Sequence, residues 1–203
     1  MISRASRRLL SLSRPPDLEA DQMGKIVTGL FTSLDGIVDA DDDWQFPYFD
    51  EELFARVLAG WRSAATLLLG RHSYEGYERL RVEHPDSPML AFLDATPTCV
   101  VSSTLTHARR DGVTIIGGDP ERIAQLRAES EGNVLVLGSP TLVRWLLAND
   151  LLDELNVTVL PIVVGEGPRL FDDMPTQRLA LRLTGSEALR SGALELQYAP
   201  TTR

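Results

Sequence analysis

The sequence predicts a three-layer α/β protein, with helices on both faces of a twisted, mostly parallel sheet and an antiparallel edge at the C-terminal end. Three observations predict it. Between Thr66 and Ala148 a short apolar run leads, three times over, through a turn into a stretch with helical apolar spacing. Alternation of this kind requires parallel pairing, because each helix carries the chain back to the starting end of the sheet. After Leu151 the helical spacing stops and strand-like runs follow one another. Finally, 203 residues that are 43% hydrophobic and 24% charged are enough for one core, so a single domain is expected over residues 24–203.

The elements follow in order. Lys25 to Phe31 is short, apolar and β-branched, and it ends at the turn signal Leu34-Asp35-Gly36, so it reads as the first strand. The acidic run Asp39, Asp41, Asp42 and Asp43 reads as a solvated loop, because Trp44 stands where a calcium loop needs glycine. Asp50 to Arg62 is helical, with Leu53, Phe54, Val57, Leu58 and Trp61 on its apolar stripe and Asp50, Glu51 and Glu52 in the first turn. Thr66 to Leu69 is a buried strand that enters Gly70-Arg71-His72-Ser73 and a helix to about Leu80. Pro97 to Ser102 and Val113 to Ile116 are strands, and Pro120 to Glu129 is a helix capped by Asp119. Val134 to Leu137, the turn Gly138-Ser139-Pro140 and the helix Thr141 to Ala148 form the third unit. Glu154 to Val164, Leu179 to Thr184 and Ala193 to Tyr198 read as antiparallel additions at one edge.

Composition excludes several classes of function. A net charge of -9, with no compensating basic cluster after residue 23, opposes binding to nucleic acid. No apolar run approaches the roughly 18 residues that span a bilayer, so no membrane partner is expected. The single cysteine, Cys99, rules out an intrachain disulfide and suits a cytoplasmic location. His72, His84 and His107 are scattered without ligand spacing, and no metal is expected. Residues 1–23, rich in Arg and Ser and containing Pro15-Pro16, read as a disordered leader. Its apolar run is too short for a signal peptide, and Met23 reads as the physiological start.

Two turns carry candidate chemistry, since each joins a buried strand to a helix N-terminus, where free amides and the helix dipole attract phosphate. In the first, Gly70 lets the backbone approach a ligand, Arg71 offers a planar fork of donors, and Ser73 adds a hydroxyl. The same residues also suit a plain turn with a capping serine. In the second, Gly138-Ser139-Pro140-Thr141 could cradle a pyrophosphate, although such a turn is common in strand-to-helix connections. Neither a Gly-x-Gly-x-x-Gly fingerprint nor a phosphate-loop motif is present.

Five segments together resemble the dihydrofolate reductase superfamily, and within it the branch related to the reductase domain of riboflavin biosynthesis. They are Val27–Val38 (VTGLFTSLDGIV), Leu67–Tyr77 (LLLGRHSYEGY), Val100–Leu105 (VVSSTL), Val136–Leu155 (VLGSPTLVRWLLANDLLDEL) and Leu160–Phe171 (LPIVVGEGPRLF). The resemblance implies NADPH lying across the carboxyl ends of the strands. It assigns Gly70, Arg71, His72 and Ser73 to a phosphate-binding turn and Ser102, Ser103 and Thr104 to the strand end near the adenosine phosphate. Gly138, Ser139, Pro140, Thr141 and Leu142 fall at the pyrophosphate turn, with Ser139 in place of a second glycine. Ser33, Leu34 and Trp44 fall on the substrate side, and Asp50 and Asp35 are the acids implied at the reacting ring. Trp44 followed by Asp50 is similar to the tryptophan and buried acid of dihydrofolate reductases, with a spacing different by one. Asp50 is equally suited to be a first-turn helix acid and nothing more.

The function so implied is an NADPH-dependent reductase that transfers a hydride to a small heterocyclic or carbonyl-bearing metabolite, with a homodimer as the assembly. The zinc deaminase half that accompanies the riboflavin reductase cannot be built from one cysteine. Two other readings stay open: a non-catalytic dinucleotide- or metabolite-binding module, and a reductase that uses a flavin or deazaflavin.

Overall fold

The computed structural model describes residues 24–38, 43–174 and 178–201. The leader and Asp39 to Asp42 lie outside the described residues. The elements are β1 (Ile26–Ser33), a 3-10 segment (Asp43–Tyr48), α1 (Glu51–Arg62), β2 (Ala64–Gly70), α2 (Arg71–Glu83) and α3 (Pro88–Ala95). They continue with β3 (Thr98–Val101), β4 (Val113–Ile116), α4 (Pro120–Glu129), β5 (Asn133–Leu137) and α5 (Pro140–Ala148), then β6 (Glu154–Leu160), β7 (Leu181–Ala188) and β8 (Leu194–Pro200).

The eight strands form one sheet in the order β4-β3-β2-β5-β1-β6-β8-β7. Alternating side chains of the central strands feed two cores. Ile26, Leu68, Val134 and Val136 pack with Ile123 of α4 and with Leu142, Val143 and Leu146 of α5. Val27, Leu67, Leu69 and Leu135 pack on the other face with Trp61 of α1, Tyr74 of α2 and Leu90 and Leu93 of α3. This double coverage explains why the central strands read as continuous apolar runs rather than as alternating ones. A third cluster joins Leu53 to Leu160, Leu189 and Ala193 at the carboxyl end of β1 and β6.

Two features depart from the sequence reading. β6 is not part of the antiparallel edge: it runs parallel to β1, from Val27 opposite Glu154 to Ser33 opposite Leu160. The cause is Asp153, whose carboxylate accepts the Ile26 amide at 2.8 Å while its own amide donates to the Ile26 carbonyl at 2.9 Å. That clamp sets the start of β6 beside the start of β1, and α5 serves as the crossover between β5 and β6. Only β8 opposes the common direction, since β7 is antiparallel to β8 in turn. The helix α3 was not anticipated. Its signals are Pro88 at the first helical position and the apolar Leu90 and Leu93, three residues apart and each 2% exposed.

Leu146 is fully buried in the α4–α5 core. Leu146→Ala is expected to lower unfolding free energy by about 2–5 kcal/mol in urea denaturation, through lost burial and the cavity left behind.

Candidate functional site

The strand order sets β2 beside β5, and the helices that follow them leave onto opposite faces of the sheet. The chain therefore parts at the carboxyl ends of these two strands and opens a crevice, the place where open α/β sheets bind ligands. Both α2 and α5 begin there, each presenting unpaired amides and the positive end of its dipole. The crevice is a cleft of about 330 Å³. Gly70, Arg71, His72 and Ser73 line one side, and Ser139, Pro140, Thr141 and Leu142 the other. Tertiary structure thus unites two turns that lie far apart in sequence.

One side chain stitches them together. Ser139 Oγ accepts the Gly70 amide at 2.7 Å and donates to Ser73 Oγ at 2.7 Å. Gly138 and Ser139 both take left-handed backbone, with φ of 58° and 56°. For a residue with a Cβ this conformation costs about 1–2 kcal/mol. Glycine is needed at the neighbouring positions: a Cβ on Gly138 would stand 3.1 Å from Ser73 Oγ, and one on Gly70 would stand 3.1 Å from Ser139 Oγ. Arg71 opens α2 with a half-exposed guanidinium, held only at 3.4 Å from Glu75 and 3.0 Å from the His72 ring. Its donors can therefore turn toward an anion in the cleft.

Ser102, Ser103 and Thr104 follow the strand end at Val101, which does line the cleft. The Ser102 hydroxyl accepts the Leu105 amide at 2.9 Å and the Thr104 amide at 3.2 Å, so it organises its own turn. Ser103 and Thr104 are exposed. Besides Val101, two cleft residues escaped the sequence reading. Gly118 ends the β4 turn ahead of α4, the same strand, glycine and helix grammar as the other two turns. Trp145 stands one helical turn beyond Thr141 on α5, where its sequence position suited core or interface equally well.

Next to β5 lies β1, where Gly29 pairs with Leu137 on one side and Asn156 on the other. Gly29 is exposed although its strand is central, and a Cβ there would meet nothing within 4 Å. It is the floor of an open recess. On the adjoining strand, Asn156 Oδ1 is buried and has no hydrogen-bond partner.

At the end of β1 lie the substrate-side candidates. Asp35 receives the Ser33 hydroxyl at 2.7 Å, the Val164 amide at 3.1 Å and the Gly165 amide at 2.9 Å. These donors, the Ser33 hydroxyl foremost, hold its carboxyl down to about 2. Asp35 is therefore ionised at neutral pH and clasps the loop after β6. Asp50 is the N-cap of α1, its Oδ1 accepting the Leu53 amide at 2.8 Å. Trp44 packs against the Leu53–Leu160 cluster. Leu34 is 66% exposed at the tip of the β1 turn.

Fold and cleft together define a dihydrofolate reductase-like protein. Residues 24–194 match the RibD C-terminal domain, and the chain belongs to that family. It is 30% identical over 179 residues to the uncharacterized protein YwjB of Bacillus subtilis, covering 86% of this chain and 97% of that one. Among solved structures, a protein ascribed to riboflavin biosynthesis in Shewanella sp. PV-4 superposes with a TM-score of 0.72 at 22% identity, over 88% of this chain and 99% of that chain. Dihydrofolate reductase from Enterococcus faecalis, complexed with NADP(H), superposes with a TM-score of 0.55 at 16% identity, over 89% and 98%. These two likenesses establish the fold. No helix among the described residues is long and apolar enough to cross a membrane.

The Asp35 clasp has a pH signature. Its folded-state value of about 2 lies below the ordinary 3.8, so its stabilisation is complete above about pH 4 and is lost as pH falls toward about 2. In urea denaturation, wild type should exceed Asp35→Asn in stability by a constant amount from about pH 5 to 8, and the difference should shrink below about pH 4. A difference independent of pH would mean that the charge does not matter.

Proposed function

We propose that the protein is an NADPH-dependent reductase of a small heterocyclic or carbonyl-bearing metabolite. The observation that carries this reading is the pair of stitched strand-to-helix turns facing one cleft at the β2–β5 crevice. The residues present suit a dinucleotide. Two helix N-termini and the half-exposed guanidinium of Arg71 line the cleft and supply donors for phosphate oxygens. Gly70 to Ser73 and Gly138 to Leu142 would hold the phosphates, Arg71 the most exposed anionic group, and Ser102 to Thr104 the adenosine end. When bound, the nicotinamide supplies a hydride from C4.

The substrate belongs over β1. The recess at Gly29 is next to Leu137, the last residue before the pyrophosphate turn, so a ring there is close to whatever that turn positions. Farther along β1, Ser33 and Leu34 lead into the turn where the Asp35 clasp fixes the loop that follows β6. With Asp35 and Asp50 both engaged in structural hydrogen bonds, product protonation is left to solvent. That same engagement favours a second reading, a non-catalytic dinucleotide-binding module. The buried thiol of Cys99 suits a protein acting in the cytoplasm.

Calorimetric titration with NADPH and NADH in parallel tests the reading. NADPH should bind, and Arg71→Ala should weaken it about tenfold or more, as expected when a charge-assisted contact to phosphate is removed. Binding of neither nucleotide would overturn the proposal in favour of a flavin or deazaflavin cofactor, and NADPH binding without turnover of any carbonyl or heterocycle screened would favour the binding module. The homodimer belongs to the same proposal, with the sheet edge at β7 and its exposed Leu183 as the available surface. Light scattering should return twice the chain mass, and a monomeric mass would remove that part.

A further inference from the structure

Ser139 stands where left-handed backbone makes glycine the economical choice, yet it is a serine and is only 7% exposed. Its hydroxyl has one proton and two uses. The oxygen must accept the Gly70 amide, for which it is the partner at 2.7 Å. The proton has two acceptors within reach, Ser73 Oγ at 2.7 Å and the Leu137 carbonyl at 3.4 Å, and the shorter contact takes it. Ser73 Oγ is then an acceptor on the side facing Ser139, so its own proton must point elsewhere. Ser73 lies in the first turn of α2 and lines the cleft, and the cleft is the direction left to that proton.

We propose that Ser139 is a positioning residue: by donating to Ser73 it turns the Ser73 hydroxyl into a fixed donor aimed at an anionic group, a phosphoryl oxygen, in the cleft. This rests on the dinucleotide reading above. It also accounts for the strained backbone, because glycine at this position would relax the turn but leave the Ser73 hydroxyl free to rotate. The order of the donors is Gly70 amide to Ser139, Ser139 to Ser73, and Ser73 to the ligand. A chain of this kind polarises each member toward the anion at its end.

The test separates affinity from stability. Ser139→Gly, Ser139→Ala, Ser73→Ala and the double variant Ser73→Ala/Ser139→Ala are titrated with NADPH and, separately, with inorganic pyrophosphate, alongside thermal unfolding. Ser139→Gly should melt within a few degrees of wild type yet bind about tenfold more weakly, as should Ser139→Ala and Ser73→Ala. The double variant should be no weaker than Ser73→Ala alone, because Ser139 acts through Ser73. Wild-type affinity in Ser139→Gly, or losses that multiply in the double variant, would overturn the assignment while leaving the cofactor reading intact. Pyrophosphate binding with this pattern and no binding of NADPH would overturn the cofactor reading and keep the role of Ser139. Wild type that binds neither probe would sink both.

Discussion

The structure turns on the contact between two segments that sequence keeps nearly seventy residues apart. At the carboxyl ends of β2 and β5 the Ser139 hydroxyl ties the Gly70 amide to Ser73, and with them the start of α5 to the start of α2. Those helices lie on opposite faces of the sheet, so this small hydrogen-bonded stitch is where the two outer layers meet across the middle one. Without such a tie, two helix N-termini with unpaired amides and parallel dipoles would repel each other across the crevice. The same arrangement makes the crevice attractive to an anion.

Rigidity is distributed around that point rather than within it. β2, β5 and β1 are paired on both sides and covered on both faces, which leaves their carboxyl ends as fixed platforms for the turns. Farther along the sheet, Asp153 clamps β6 to the start of β1, and Asp35 clasps the loop beyond the far end of β6 to the β1 turn. The arginine Arg56 of α1 bridges to Glu187 and Glu195 on β7 and β8, joining the first helix to the C-terminal hairpin. Such a partly exposed ion pair adds little stability by itself. Its effect is to fix α1 against the C-terminal hairpin.

Membership of the RibD C-terminal domain family and the dihydrofolate reductase-like fold describe the scaffold, and fold does not transmit a substrate. At the cleft and recess this chain presents a serine in the left-handed position of the second turn, a tryptophan on α5, and an asparagine with an unsatisfied buried oxygen beside an open glycine. The two carboxylates nearest the substrate side both serve the backbone, one as a helix cap and one as a loop clasp.

Local rules were sufficient wherever a residue's part depends on its neighbours in sequence. The three strand, turn and helix units, the Asp119 cap and both glycine turns could be read directly, because apolar period and turn chemistry are short-range properties. Asp50 was legible as a structural acid at a helix start for the same reason, although it stands one place earlier, as the cap, and its family resemblance pointed to catalysis. The direction of β6, the clasp at Asp35, the entry of Gly118 and Trp145 into the cleft and the recess over Gly29 were not legible. Each depends on which strands become neighbours, and a strand run looks the same whether its partner runs parallel or antiparallel. Sequence by itself determined the layers, every helix but α3 and the two phosphate-suited turns. Tertiary structure alone decided that those turns face each other, because strand order is set by long-range burial and by single clamps such as Asp153, not by any local pattern.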